Sequence, residues 1–212
     1  MKTIYKLMLK IALRFHSFSY KLISYLAIKT EGGLHPKHRL IGYHEFFTGN
    51  IGLNDRVLDI GCGNGSLAKD VAKHAKSVTG VEIDSRLVEK AMRQNSASNL
   101  EYRVADATRD LSNEKFDIII MSNVLEHIDD RVNFLKSIRP LADKFLFRVP
   151  MIDREWVTLY KRELELDWRL DTTHFTEYTF AQFKSEFEQA GFKIESHSVQ
   201  FGEIWAIIYP NQ

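Results

Sequence analysis

The clearest chemical feature of the sequence is a glycine-rich turn that follows an acid. Residues 57–66 read VLDIGCGNGS: a short apolar run, closely spaced glycines, and then the start of a helical pattern. Glycine allows positive φ and lets the backbone approach a ligand closely. The first N–H groups of the following helix face that ligand. The segment therefore predicts a strand–turn–helix site for a ligand of nucleotide type.

The spacing within this turn argues against a dinucleotide. A dinucleotide fingerprint has glycines at its first, third and sixth positions. Here the sixth position is Ser66, and the third glycine, Gly65, comes one residue early. Asp59, two residues before Gly61, would be unfavourable beside a pyrophosphate but suits an ammonium group. S-adenosylmethionine carries an ammonium group on its methionine part, so the turn favours that cofactor over NAD and disfavours a dehydrogenase.

Polar side chains also follow the next predicted strands. Glu82 ends the second strand and can accept hydrogen bonds from both hydroxyls of a ribose, while Asp106 follows the third and can accept from an adenine amino group. Ser122 follows the fourth. Ligands of an open parallel sheet bind beyond the carboxyl ends of its strands. Signals at successive strand ends therefore predict a single S-adenosylmethionine site.

Five segments carry a recognisable family pattern: VLDIGCGNGSLA (57–68), VTGVEID (78–84), VADA (104–107), FDIIIMSNVLEHI (116–128) and DTTHFTEYTFAQFKSEFEQAGF (171–192). Together they resemble the class I S-adenosylmethionine-dependent methyltransferases, in particular type 11 and quinone-biosynthesis-like members. The segment LHPKHRLIGYHEFF (34–47) also resembles methyltransferases of bacterial glycan assembly.

The resemblance implies a Rossmann-like fold, S-adenosylmethionine as cofactor, and a set of cofactor-binding positions. Asp59 and the glycines would hold the methionine part, Glu82 the ribose and Asp106 the adenine, while Arg39 would reach the cofactor carboxylate. The implied cofactor-binding residues are Arg39, Asp59, Gly61, Cys62, Gly63, Gly65, Glu82, Ile83, Asp106, Ala107 and Ser122.

Two histidines, His127 and His174, are the candidate catalytic residues. Either can accept a proton from an acceptor hydroxyl, because the unperturbed pKa of histidine is near 6.5. Structural alternatives stay open, since His174 can instead cap or brace a helix beginning near Thr179. Glu126 with both histidines would offer three metal ligands. Some RNA 3′-end methyltransferases carry Glu-x-x-Glu-His, but Asn123 replaces the first glutamate here, so we predict no metal.

The elements that position these residues are predicted by alternating apolar runs and amphipathic stretches after Asp55. Such alternation requires right-handed crossovers and a mostly parallel sheet with helices on both faces. The short link at residues 201–202 permits only an antiparallel pair. We expect an α/β fold whose seven-stranded mixed sheet has its last strand antiparallel. The predicted strands are Arg56–Ile60, Ser77–Ile83, Leu100–Val104, Phe116–Met121, Lys144–Val149, Phe192–Val199 and Glu203–Tyr209.

The amino-terminal segment is a separate electrostatic region. Of 212 residues with a net charge of +1, residues 1–30 hold six basic side chains and no acid, which leaves 23 basic against 28 acidic residues elsewhere. Its uncharged stretches are far shorter than the ~20 apolar residues that cross a bilayer. An amphipathic basic helix either packs as a cover or lies in a membrane interface. We expect extra amino-terminal helices at 1–48 that form a cover, and a cofactor-binding domain at 49–212.

Composition limits the remaining function classes. The near-zero net charge gives no signal for nucleic acid, and a single cysteine, Cys62, excludes an internal disulfide and fits a reducing, cytoplasmic setting. Residues 151–171 combine aromatic and basic side chains, which suits a planar, glycosidic or phosphorylated acceptor, or else an ordinary amphipathic helix.

The sequence thus favours methyl transfer to oxygen of a small-molecule, sugar or lipid-linked acceptor. The alternative is a non-catalytic module that binds S-adenosylmethionine and docks on a partner or membrane.

Overall fold

A computed structural model describes residues 2–32, 35–111 and 114–211 of the chain. Leu34, which begins the segment 34–47, lies outside the described residues, as do Met1 and Gln212, the first and last residues of the two predicted regions. The described strands are β1 (Arg56–Ile60), β2 (Ser77–Glu82), β3 (Leu100–Val104), β4 (Phe116–Ser122), β5 (Ala142–Pro150), β6 (Phe192–Gln200) and β7 (Glu203–Pro210).

These strands form one mixed sheet in the order β3-β2-β1-β4-β5-β7-β6. Strands β1 to β5 run parallel to one another, whereas β7 runs antiparallel to both β5 and β6. The predicted mixed sheet with an antiparallel last strand is confirmed. Every strand lies within two residues of its predicted limits. The inner parallel strands β1, β4 and β5 are largely buried and read as nearly continuous apolar runs.

Helices cover both faces of this sheet. The described helices are α1 (Lys2–Thr30), α2 (Lys37–Ile41), α3 (Tyr43–Thr48), α4 (Ser66–Ala72), α5 (Ser85–Gln94), α6 (Arg131–Ile138), α7 (Trp156–Glu163) and α8 (Phe180–Gln189). Apolar side chains of α3, α4 and α5 pack on one face of the sheet, and those of α6 and α8 pack on the other. Alternate residues of β1 serve the two faces, with Val57 in one cluster and Leu58 in the other.

The amino-terminal helices differ in how they pack. α3 belongs to the core, since Tyr43 and Phe47 are buried. α1 spans 29 residues, yet Leu13 is its one buried residue. No helix within the described ranges is long and apolar enough to cross a membrane.

The strand order also fixes where a ligand can bind. From β1 the chain continues to β2 and β3 on one side, and β4 then returns to the other side of β1. The carboxyl ends of β1 and β4 therefore meet at a topological switch point, where the flanking loops separate and leave a crevice.

Candidate active site

The glycine turn lies at this switch point. Gly63 has φ 55°, and a Cβ at this position would meet nothing within 4 Å, so the backbone is open to a ligand. A Cβ on Gly61 would lie 2.3 Å from the Val124 side chain, and one on Gly65 would lie 2.3 Å from Tyr102. Gly61 and Gly65 are therefore required by packing. At Gly63 glycine is favoured because the backbone adopts a left-handed conformation.

A cavity of about 340 Å³ opens above the turn. Five of the predicted cofactor residues line it: Asp59, Gly61, Cys62, Gly63 and Ser122. Burial raises the pKa of the Cys62 thiol, with a further contribution from Asp59, so this side chain stays protonated and serves as a wall. The cavity volume lies within the usual range for small-molecule sites.

Asp59 is the most unusual group in this cavity. Its side chain is 1% exposed, and Oδ2 has no hydrogen-bond partner among the described residues. Burial, followed by the nearby Glu82, raises its pKa to about 8. A buried carboxyl group with an unused oxygen on a cavity wall fits a bound ammonium group, which would favour the charged form. The residues present therefore fit S-adenosylmethionine.

Glu82 stands next to the turn at the end of β2. Its Oε2 accepts from the Gly63 amide at 3.1 Å, and its Oε1 accepts from the amides of Ile83 and Asp84 at 2.8 and 3.0 Å. These bonds fix the carboxylate while leaving acceptor capacity for a ribose hydroxyl. Ile83 is 67% exposed, so an apolar side chain remains uncovered beside the acid.

Asp106 follows β3 in the loop adjacent to Glu82, since the Ala105 amide donates to the Glu82 carbonyl at 3.0 Å. Its Oδ1 accepts from the hydroxyl and amide of Thr108, and these bonds lower the pKa of Asp106. The side chain is therefore an ionised acceptor. Ala107 is half-buried in the same loop.

Arg39 is not brought to this cavity. Its guanidinium donates to Glu31 at 3.0 Å and is largely exposed. The cavity wall is formed instead by His38, whose Nδ1 bonds the Tyr43 hydroxyl at 2.8 Å, and by His44. Successive residues of a helix point about 100° apart, so on the short α2 His38 faces the cavity and Arg39 turns away from it.

The two predicted catalytic histidines lie together. The rings of His127 and His174 are 4.6 Å apart in an edge-on arrangement. The Nδ1 atom of His127 bonds the Thr173 hydroxyl at 2.9 Å, and that of His174 bonds Glu177 Oε1 at 3.1 Å. Burial, and then the neighbouring His174, lowers the pKa of His127, which favours the neutral, proton-accepting form.

The capping alternative for His174 is not supported by this geometry. The helix α8 is capped by Thr179, whose hydroxyl accepts from the Gln182 amide at 3.2 Å. His174 instead bonds Glu177, which also pairs with Arg154. A carboxylate at Nδ1 sets the tautomer of a histidine and leaves Nε2 as the acceptor.

Glu126 completes this histidine cluster. It is fully buried, and neither of its carboxyl oxygens has a partner in the described part of the chain. Burial raises its pKa to about 8. One ligand atom each from Glu126, His127 and His174 lie within 4.8 Å of one another. The cluster can accept a proton or contribute three ligands to a divalent ion, and the absence of a metal stays a prediction.

A buried ion pair behind the cavity was not predicted from the sequence. Arg148 is 3% exposed and forms two bonds to Glu203, at 2.5 and 2.7 Å. It also donates to the Ser122 hydroxyl at 3.2 Å and lies 4.0 Å from the centroid of the Tyr43 ring. An arginine inside the apolar run of β5 is the signal that would have revealed this pair, since charges are rarely buried unpaired.

A second cavity, of about 390 Å³, lies between α1 and the segment that contains α7. The predicted acceptor segment contributes Arg154, Lys161, Trp168 and Arg169 to its walls. Glu203 also lines it, whereas Ser122 lines the first cavity. Because Arg148 bonds both Glu203 and Ser122, one guanidinium connects the walls of the two cavities.

Comparison with known proteins gives this geometry a context. Residues 34–197 match the family model described as a methyltransferase domain. The chain is 36% identical over 86 residues to the ubiquinone biosynthesis O-methyltransferase of Coxiella burnetii, a match that covers 38% of this chain and 36% of that protein. The chain thus spans little more than a third of that relative's length.

Solved structures with the same fold are more distant in sequence. The DhpI–SAH complex superposes with a TM-score of 0.66 at 16% identity, covering 90% of this chain and 94% of that chain. Magnesium protoporphyrin IX methyltransferase from Synechocystis PCC 6803, with bound SAH, gives 0.61 at 19% identity, covering 82% and 81%. These similarities show a shared fold.

Proposed function

The chain belongs to the class I S-adenosylmethionine-dependent methyltransferases, and from that premise we propose that it methylates an oxygen of a small-molecule, sugar or lipid-linked acceptor. Its cofactor is S-adenosylmethionine. The observation that carries the proposal is the buried Asp59 carboxyl, unpartnered within the described residues, on the wall of the switch-point cavity. The choice of oxygen is supported by the name of the Coxiella burnetii relative, an O-methyltransferase.

In this proposal the cofactor is held by groups at three strand ends. Asp59 binds the ammonium group, and the turn with Gly61, Cys62, Gly63 and Gly65 lies against the methionine part. The remaining contacts come from Glu82 with the ribose, Asp106 with the adenine amino group, Ile83 and Ala107 with the adenine face, and Ser122 on the opposite wall. Arg39 is left out, because it pairs with Glu31.

The cofactor supplies a methyl group already activated on a sulfonium, so the protein must chiefly position the acceptor and remove its proton. We assign proton removal to His127 and His174. Both have Nδ1 engaged by a neighbouring side chain, which leaves Nε2 available to an acceptor hydroxyl. Glu177 holds His174 in orientation through the bond to its Nδ1.

The test combines binding with product identification. Calorimetry should show binding of S-adenosylhomocysteine by the native chain and its loss in Asp59→Asn, with the exposed Asp153→Asn as the matched control. Incubation of a cell extract with methyl-labelled cofactor should then yield a labelled small molecule or lipid. Cofactor binding without a labelled acceptor in any pool would favour the non-catalytic module. NAD binding without S-adenosylhomocysteine binding would contradict the cofactor assignment.

We also propose that α1 lies on an anionic membrane surface, from the cytoplasmic side. Apolar side chains are exposed along the whole helix, and removing their apolar surface from water is favourable by roughly 25 cal/mol per Å². They are Ile4, Tyr5, Leu7, Met8, Ile11, Phe15, Phe18, Tyr20, Leu22, Ile23, Tyr25 and Leu26. The charges of this segment are all basic, which complements the anionic lipids of the cytoplasmic leaflet.

Liposome flotation tests the membrane proposal. The full chain should float with vesicles containing phosphatidylglycerol and less with pure phosphatidylcholine, and a chain lacking residues 1–30 should stay behind. Ile11→Ser with Phe15→Ser should reduce flotation, while Leu53→Ser, at an exposed apolar residue outside α1, should not. Equal flotation of full and shortened chains would overturn the proposal. A concentration-dependent dimer without flotation would assign the same face to a second copy.

A further inference from the structure

The second cavity has a strongly basic lining. Six of its lining residues are basic: His16 and Lys21 from α1, Lys37 at the start of α2, and Arg154, Lys161 and Arg169 from the segment around α7. This lining contrasts with the chain outside residues 1–30, which carries more acids than bases. The helix α1 and the segment around α7 therefore place basic side chains around one cavity.

Two of these six basic residues are already paired with acids, Lys21 with Asp167 and Arg154 with Glu177. Asp167 pairs with Lys21 at 3.5 Å, and Glu203 is held by Arg148. Glu155 accepts from the Thr158 hydroxyl at 3.0 Å. Acidic side chains therefore leave part of the basic lining uncompensated.

Lys161 is the central example. The residue is 7% exposed, and its ammonium group donates to Ser17 Oγ and contacts His16 Nδ1, each at 3.0 Å. Within the described residues it forms no ion pair with a carboxylate. Burial lowers its pKa, and the attraction of Glu155 does not outweigh this effect. Burying a cation without an anion is costly, so an anionic ligand in this cavity would stabilise the charged form of Lys161.

Lys37 repeats part of this pattern. The residue as a whole is exposed, and it likewise lacks a carboxylate ion pair among the residues that the structure describes. Partial burial of its ammonium group, and then the charge of Arg148, lower its pKa. Two partly desolvated ammonium groups from distant parts of the sequence thus line the same cavity.

We infer that this cavity binds a phosphoryl group of the methyl acceptor, an inference that rests on the proposed function. A phosphoryl group carries nearly two negative charges and three acceptor oxygens. It therefore suits a cavity lined by several basic side chains better than a carboxylate does. The link from Glu203 through Arg148 to Ser122 connects this cavity to the cofactor cavity. The phosphoryl group therefore anchors the acceptor beside the methyl donor.

The phosphoryl group can belong to a lipid-linked acceptor or to a free sugar phosphate. Binding is measured by calorimetry with three probes: farnesyl phosphate, farnesol and glucose 1-phosphate. Farnesyl phosphate should bind at least tenfold more tightly than farnesol, because only the former carries a phosphate. Comparable binding of glucose 1-phosphate would assign the site to free sugar phosphates, whereas much weaker binding would assign it to lipid-linked ones. Both results support the inference.

The test variant and its control each remove one lysine charge. Lys161→Gln should weaken the binding of farnesyl phosphate about 10- to 100-fold, because one charge-assisted hydrogen bond is lost. The affinity for farnesol should not change. Lys161→Arg should retain most of the affinity. Lys144→Gln is the control, because Lys144 also loses solvent on folding and bonds a backbone carbonyl, that of Asn50, but lines neither cavity.

Binding of S-adenosylhomocysteine to the same samples separates the two proposals. Failure of the native chain to bind it would overturn the proposed function. Normal binding, together with equal affinities for farnesyl phosphate and farnesol, would overturn the phosphoryl site alone. An equal loss in Lys144→Gln would do the same. The comparison of probes on the native chain decides the question even if Lys161→Gln does not fold.

Discussion

The two cavities are built from different kinds of structure. The cofactor cavity is formed by the glycine turn, by Asp59 and Ser122 at strand ends, and by side chains of the short helices α2 and α3, so most of its groups lie on elements packed in the core. The second cavity is formed by long basic side chains from α1, α7 and the irregular chain after α7. A rigid site can hold an invariant cofactor, whereas longer side chains on separate elements can adjust to a specific acceptor.

The largest effect is expected on the acceptor side of this comparison. His174→Ala should lower kcat by about 10²- to 10⁴-fold, the usual loss when a general base is removed, with His127→Ala as a parallel variant. Binding of S-adenosylhomocysteine should be unchanged, because neither histidine lines the cofactor cavity. Steady-state kinetics and calorimetry measure the two effects. Full kcat in both variants would show that these histidines serve only to brace the 171–177 loop.

Asp59 should show the opposite pattern. Asp59→Asn is expected to weaken cofactor binding by about 30-fold or more, because a buried charged pair is worth 2 kcal/mol or more. Farnesyl phosphate should bind as before, because Asp59 does not line the second cavity. Calorimetry with each ligand checks this separation. A loss of both affinities would show that the substitution disturbs the fold around both cavities and does not act on the cofactor alone.

The pH dependence of stability should report the protonation of the buried Asp59 carboxyl group. Burial raises the pKa of Asp59 to about 8 from its ordinary value of 3.8. Folding therefore holds a proton that the unfolded chain releases above about pH 4, and stability should fall as pH rises from about 4 to 8. Thermal melts should show this slope reduced in Asp59→Asn. Glu126, whose pKa is also raised to about 8, should maintain part of it. An unchanged slope would contradict the assignment.

The smallest effect is expected from removing metals. Because Glu126, His127 and His174 provide only three ligands and Asn123 replaces a fourth acid, EDTA should leave kcat unchanged. Metal analysis of the purified protein provides the control. Activity lost in EDTA and restored by a divalent cation would instead show that the buried Glu126 carboxyl is a ligand.

Sequence reasoning succeeded where the fold is determined by strand ends. Val57–Ser66 and the acids Glu82 and Asp106 could be placed because parallel strands terminate at one edge. The structure does not bring Arg39 to the cofactor cavity. The direction of its side chain depends on how the five-residue helix α2 is oriented, and the pairing with Glu31 is not visible in the sequence pattern. The 151–171 segment that contains Lys161 was predicted as an acceptor region, but its contact with α1 and the Arg148–Glu203 pair were not, because they join residues far apart in sequence through side-chain contacts.

Arg148 has a consequence for the order of events in a turnover. Its guanidinium bonds Ser122 on one wall and Glu203 on the other, so a shift of this group changes both bonds. A ligand that shifts the guanidinium from either cavity changes the affinity of the other cavity, and by thermodynamic linkage the influence is equal in both directions. A single buried side chain thus makes the two substrates sense each other.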